Sequence, residues 1–161
     1  MADVRVGSGY DAHRFGGEGP IVLGGVEIEH PTGIVATSDG DVVAHAVVDA
    51  LLGAAALGDI GTHFPSTDPS SRDRDSMQML EACVRLLVDS GWSVINVDVT
   101  VVVESVRIGP HRQRMQKNIA ASIGFDPDRV SVKATTTDGL GWIGANEGLA
   151  VHAVATITTV P

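Results

Sequence analysis

The run Val97-Asp98-Val99-Thr100-Val101-Val102-Val103-Glu104 constrains the fold more than any other segment of this chain. It mixes strand alternation with a continuous apolar stretch of β-branched residues, the pattern of a strand covered on both faces along part of its length. This strand is read over Ser93–Glu104, with others at Val4–Tyr10, at Ile21–Ile28 as two short arms near Gly24-Gly25, at Val130–Thr136 and at Leu149–Val160. Helical periodicity covers about Asp41–Leu57, Ser76–Ser90 and His111–Ile123, the last closed by Gly124 with Pro127 beyond it. The expectation is an α+β layer, a main sheet of about four strands with three helices on one face. So few helices cannot cover both faces, so the second face is expected to be buried by oligomerisation; an ordinary two-layer sandwich with a wet outer face is the alternative.

With 161 residues, 43% of them hydrophobic, the chain is expected to form one domain over 1–161 with a real core. A net charge of −9 argues against a nucleic-acid or anionic-membrane surface, which needs clustered Lys and Arg. An anionic substrate would therefore need metal ions or local basic residues. The single cysteine, Cys83, falls in the helical pattern Met77–Val88, so it reads as an inert core thiol, excludes a disulfide framework and is compatible with a reducing compartment. Without a signal-like start or an apolar run of ~18 residues, the protein is expected to be soluble and cytoplasmic.

The chemistry concentrates in Ser38-Asp-Gly-Asp-Val-Val-Ala-His45-Ala-Val-Val-Asp49-Ala-Leu-Leu, which sets Asp41, His45 and Asp49 at i, i+4 and i+8 on one face of an otherwise apolar helix. Ser38 followed by Asp41 also fits a capping box, a sufficient reading of Asp39 and Asp41 on their own. His45 and Asp49 are different, because they sit among Val42, Val43, Ala46, Val47, Ala50 and Leu51, where an unsatisfied polar group costs several kcal/mol. Upstream, Gly9-Tyr-Asp11-Ala-His13 reads as the end of a strand with Asp11 and His13 on the same side. A satisfied core histidine would explain His45 alone. Two imidazoles and a carboxylate together match a catalytic zinc site, three protein ligands and an open fourth position.

Two loops interrupt the framework. Thr62–Asp75 is polar and Pro-containing, a lid or a solvated connection. Gly139-Leu-Gly141-Trp-Ile-Gly144 lacks the Lys-Ser/Thr ending of a P-loop and the spacing of a dinucleotide fingerprint; its expected contribution is backbone N–H groups approaching an anion or a neighbouring chain.

Four segments, Gly9-Tyr-Asp11-Ala-His13-Arg-Phe, Ser38-Asp-Gly-Asp-Val-Val-Ala-His45, Asp49 through Asp59-Ile-Gly61, and Val132-Lys-Ala-Thr-Thr-Thr137-Asp-Gly-Leu-Gly141, extend over nearly the whole chain. In this order they resemble the 2-C-methyl-D-erythritol 2,4-cyclodiphosphate synthase family of the non-mevalonate isoprenoid pathway. The resemblance implies a homotrimer with active sites between subunits, converting 4-diphosphocytidyl-2-C-methyl-D-erythritol 2-phosphate into the cyclic diphosphate and CMP. It implies zinc at Asp11, His13 and His45, with Asp49 near the metal and suited to orienting a ligating imidazole. It places Ser38 among the substrate contacts, Asp59 and Gly61 at the ribose, and Val103, Val106, Arg107, Ile108 and Gly109 with Lys133, Ala134, Thr135, Thr136 and Thr137 around the cytidine diphosphate. Main-chain groups read the cytosine there, and Thr136 reaches phosphate. Asp138 takes the place of the carboxylate that binds a second divalent ion, magnesium or manganese.

Four positions depart from the family pattern. Thr37 stands where a His usually precedes Ser-Asp-Gly-Asp, Ser66 where Asp is common, and Asp138 where Glu is usual. Ala145 replaces an Arg of the central trimer cavity, which removes the contact implied for isoprenoid diphosphates there. Two rival readings share the three metal ligands: a phosphohydrolase that activates water at the open zinc position, and a non-catalytic trimeric protein that binds metal or isoprenoid diphosphate.

Overall fold

The computed structural model describes residues 2–69 and 73–160. Its strands are β1 Val4–Glu18, β2 Ile21–Leu23, β3 Val26–Ile28, β4 Thr32–Ile34, β5 Trp92–Val102, β6 Val130–Thr135 and β7 Gly148–Thr159; its α-helical segments are α1 Val42–Ala55, α2 Ile60–His63, α3 Ser76–Asp89, α4 Arg112–Ile123 and α5 Gly141–Gly144. The main sheet has five strands in the order β4-β1-β7-β5-β6, and β2 with β3 forms a separate hairpin. The α+β class is as expected, but the sheet has five strands instead of about four. The extra one, β4, is only three residues long, too short for a period-two pattern to register. Likewise α2 and α5 are single turns with no amphipathic repeat to read.

The long hairpin-like pairing of β1 with β7 runs antiparallel from Val4↔Thr158 to Arg14↔Gly148. β5 pairs antiparallel with β7 and parallel with β6. Burial along β5 alternates: Val97, Val99 and Val101 are fully buried, whereas Asp98, Thr100 and Val102 are half-buried. The inner row faces α1, α3 and α4 together with Val151, Ala153 and Ala155 of β7. The outer face leaves Val4, Val6 and Tyr10 of β1 56–66% exposed.

α1 lies directly on β1 because that strand presents glycine where the two backbones meet. A Cβ on Gly7 would stand 2.1 Å from Ala50 O, and one on Gly9 would stand 1.9 Å from Ala46 O. The helix itself is nearly all apolar, with Val43, Val47, Ala50 and Leu51 fully buried, as expected of a segment packed on several sides. Its N-cap is Asp41, not Ser38: the Asp41 carboxylate accepts the N–H of Ala44 at 3.0 Å and those of Gly24 and Gly25 at 2.8 and 2.7 Å. Gly24 and Gly25 are the two positive-φ residues of the β2–β3 turn. One buried carboxylate thus ties the hairpin to the start of α1, and Asp41 does not share the functional face of His45.

Candidate active site

β1 does not end near His13 but continues to Glu18, and its alternation sets Asp11 and His13 on the side facing α1. From the second turn of α1, His45 meets them. His45 Nδ1 lies 3.1 Å and His13 Nδ1 3.2 Å from Asp11 Oδ2. One ligand atom from each of the three residues lies within 4.8 Å of the others. His13 Nδ1 is buried and makes no hydrogen bond. A buried ring nitrogen that contacts a carboxylate oxygen without a hydrogen bond of its own, beside a second imidazole, fits a divalent cation of the zinc class, which takes nitrogen and oxygen donors of this number.

The electrostatics agree with a site that gathers positive charge. Burial alone would raise Asp11, but the imidazoles of His13 and then His45 outweigh it and hold the carboxyl at about 2. Burial alone would lower His45, yet its pairing with Asp11, reinforced by the charges of Asp41 and Asp39, raises it above the usual imidazole value. Asp41 is pushed up to about 6 by burial, against the pull of the backbone N–H groups of Gly25, Ala44 and Gly24.

The other ring nitrogen, His45 Nε2, is 2.9 Å from Ser76 Oγ and 3.3 Å from Ser38 Oγ. Ser76, the first residue of α3, is fully buried and also hydrogen-bonds Asp39 through both its backbone N–H, at 3.0 Å, and its hydroxyl. Sequence pattern picks out neither Ser76 nor Asp39 here, since Ser76 lies 31 residues from His45 and 37 from Asp39, and its only local sign is the cap-like Asp75-Ser76. Asp49, which the resemblance puts near the metal, accepts the N–H of Ile60 at 2.7 Å through one carboxylate oxygen and so holds the start of α2. Burial, partly offset by that bond, raises its carboxyl.

A cleft of about 230 Å³ opens at the triad, lined by His13, Thr37, Ser38, His45, Ile60, Gly61, Phe64, Ser66 and Met79. Two of the family departures, Thr37 and Ser66, therefore face the same cleft as the ligands. Asp59 caps α2, accepting the N–H and hydroxyl of Thr62 at 2.8 Å, bonds that hold its carboxyl low. The loop Thr62–Asp75 begins as α2 rather than irregular chain; residues 70–72 of it lie outside the described residues.

The remaining expected residues lie elsewhere. Val103, with Val106 through Gly109, follows β5, and Lys133 through Asp138 finishes β6 and its loop; Val102↔Thr135 pairing and the Val103 N–H to Thr135 O bond of 3.0 Å bring these two segments side by side. Val103, Val106 and Ile108 bury their side chains in the core, leaving main chain, Arg107 and Gly109 at the surface. Lys133 is ion-paired with Asp98. Asp138 has φ +57°. Its N–H bonds Thr136 Oγ1 at 3.2 Å, while Glu104 accepts from the N–H groups of Thr137 and Gly139, bonds that lower the Glu104 carboxyl. Sequence reading missed Glu104 as the anchor of this loop. The amides of Gly139, Leu140 and Gly144 are engaged within the chain, so they are not free for an anion.

From β1, which carries Asp11 and His13, β5 lies two strand spacings away and β6 three, roughly 10 and 14 Å at ~4.8 Å each. No residue of 103–109 or 133–138 lines the triad cleft. The triad cleft and the surface formed by 103–109 and 133–138 are thus separate places on one chain.

A family model, that of the YgbB family, matches residues 4–158. The 2-C-methyl-D-erythritol 2,4-cyclodiphosphate synthase of Pseudomonas aeruginosa (strain UCBPP-PA14) is 54% identical over 152 residues, covering 94% of this chain and 97% of its own. Among solved structures, the bifunctional IspDF from Campylobacter jejuni aligns with a TM-score of 0.96 at 41% identity, covering 99% of this chain; the chain spans 43% of that larger protein. A CDP complex of IspF from Plasmodium falciparum aligns with a TM-score of 0.86 at 30% identity, covering 98% of this chain and 97% of its own.

Proposed function

The chain belongs to the YgbB family of 2-C-methyl-D-erythritol 2,4-cyclodiphosphate synthases, lyases of isoprenoid biosynthesis, and from that premise we propose its substrate, mechanism and assembly. The substrate is 4-diphosphocytidyl-2-C-methyl-D-erythritol 2-phosphate. An oxygen of its 2-phosphate attacks the β-phosphorus of the cytidine diphosphate, a new P–O bond forms, the bond from the β-phosphorus to the bridging oxygen breaks, and CMP leaves with that oxygen. The nucleophile belongs to the substrate, so no side chain need become covalently attached, and the protein's contribution is positioning and charge compensation. The observation that carries this reading is the convergence of Asp11, His13 and His45 at one point of a cleft.

Asp11, His13 and His45 would hold zinc, and Asp138 a magnesium or manganese ion. When bound, these cations supply the positive charge that an acidic chain otherwise lacks at the phosphate oxygens. Thr136 offers its hydroxyl to phosphate, and the main chain of Val103 and of Val106 through Gly109, with Lys133 through Thr137, forms the cytidine diphosphate pocket. Ser38 contacts the substrate from the triad cleft, and Asp59 and Gly61 take the ribose. The association of an IspF with CDP in a similar fold supports a nucleotide pocket of this kind.

Residues 1–161 act as one synthase domain in a cytoplasmic homotrimer. The trimer reading rests on two observations: the separation of the triad cleft from the 103–109 and 133–138 surface within one chain, which a neighbouring subunit would close, and the exposed Val4, Val6 and Tyr10 on the outer sheet face. Among the described residues no helix is long and apolar enough to cross a membrane.

Replacement of His45 by Ala tests the assignment. Zinc content and formation of CMP are expected to fall together; full zinc occupancy in His45→Ala, measured by metal analysis, would contradict it.

A further inference from the structure

We propose that Ser76 and Asp39 are positioning residues that hold His45 in its Nε2–H tautomer and thereby reserve Nδ1 as the metal-binding atom. This rests on the metal reading of the triad but concerns a different set of groups. The argument is a count of protons. An ionised carboxylate can only accept, and Asp39 does so three times: from the backbone N–H of Ser76, from that of Asp41 at 3.1 Å, and from the Ser76 hydroxyl. The hydroxyl has one proton, and it is directed at Asp39. Toward His45 Nε2, 2.9 Å away, Ser76 Oγ can therefore only accept, which requires the ring proton on Nε2. A neutral imidazole has a single N–H. Its lone pair is consequently on Nδ1, the atom 3.1 Å from Asp11 Oδ2.

Two acceptors then face each other across 3.1 Å, an arrangement stable only with a cation between or beside them. A divalent ion would supply that cation, and in this tautomer the Nδ1 lone pair already faces it. Ser76 is fully buried, so solvent does not stand in for its hydroxyl. Ser38 Oγ is the longer contact, at 3.3 Å; of its two lone pairs one accepts the Gly40 N–H and the other can accept the ring N–H, so it is compatible with this tautomer without requiring it.

Two measurements on the full chain test this. Long-range proton–nitrogen NMR of the metal-free protein, at a pH where His45 is neutral, is expected to show a protonated Nε2 and an unprotonated Nδ1, with Ser76→Ala giving a mixture of tautomers. Competition of Zn2+ against a chromophoric chelator is expected to show a 10–100-fold loss of affinity in Ser76→Ala and recovery to within about threefold in Ser76→Thr, which restores the hydroxyl. A wild-type His45 protonated on Nδ1 would overturn the proposal, whether or not the variants fold. So would Ser76→Ala with unchanged tautomer and unchanged zinc affinity. The expected tautomer in a wild-type protein that binds no zinc would overturn the metal reading instead, and leave the positioning of His45 intact.

Discussion

Gly9→Ala puts the join between fold and site under direct load. The added methyl would sit 1.9 Å from Ala46 O and 2.7 Å from Ala50 N, both backbone atoms of α1, so no side chain can rotate aside and the helix must move off the sheet. Overpacking of this kind costs at the upper end of the usual range, about 3 kcal/mol, and the entropy lost by the unfolded chain returns only ~0.4–1 kcal/mol. A net loss of about 2–3 kcal/mol in a domain of this size lowers Tm by roughly 5–10 °C. The same displacement reaches the chemistry, because Asp11 is two residues along the strand and His45 adjoins the carbonyl that is struck. Zinc affinity should fall at least tenfold. Gly53→Ala is the internal control: it lies in the same helix, its Cβ would meet only Ser8 O at 3.9 Å, and removing an interior helical glycine should stabilise by about 0.5–1 kcal/mol. Urea and thermal unfolding with a zinc competition titration read all of this. A Gly9→Ala protein with wild-type Tm and wild-type zinc affinity would refute the claim that direct backbone contact between β1 and α1 sets the triad.

Asp138→Asn should abolish turnover at low magnesium while zinc content stays at the wild-type level, since the two proposed cation sites share no ligand; normal turnover would remove Asp138 from the mechanism. Light scattering of the active protein should give a mass of about 50 kDa, three times the 16.7 kDa chain, whereas an active monomer would contradict a site built between subunits. The pH dependence of stability should reveal Asp41. Its folded pKa of about 6 lies above the ordinary 3.8, so its contribution is fully present below about 3.8 and lost as pH rises through about 6. Urea unfolding at pH 4 and pH 6.5 should therefore show the advantage of wild type over Asp41→Asn shrinking with rising pH, by at most about 3 kcal/mol; an advantage that grows would reverse the sign of the linkage.

Much of this architecture is legible in the chain because the informative contacts are periodic. The i to i+4 spacing along α1 and the alternation of Asp11 and His13 need only local geometry, and they converge as expected. The reach of β1 past Tyr10 is hidden by Asp11, His13 and Arg14, polar residues that interrupt the apolar pattern of a strand. β4 and the single-turn helices are shorter than the periods that would reveal them. Asp41 shows the limit of assigning polar residues by helical face alone, since its carboxylate satisfies the backbone of the Gly24-Gly25 turn; one oxygen of Asp49 likewise holds the start of α2, a contact no helical face reveals. Ser76, Asp39 and Glu104 act through partners 31–37 residues away, and no local pattern reports such pairings.

The central claim, intramolecular attack of the 2-phosphate on the β-phosphorus, is tested most directly by phosphorus NMR of the purified protein with 4-diphosphocytidyl-2-C-methyl-D-erythritol 2-phosphate, Zn2+ and Mg2+. The account predicts loss of the substrate resonances with equal appearance of CMP and 2-C-methyl-D-erythritol 2,4-cyclodiphosphate, and no inorganic phosphate. Release of inorganic phosphate without the cyclic product would mean that water is the nucleophile and would contradict it.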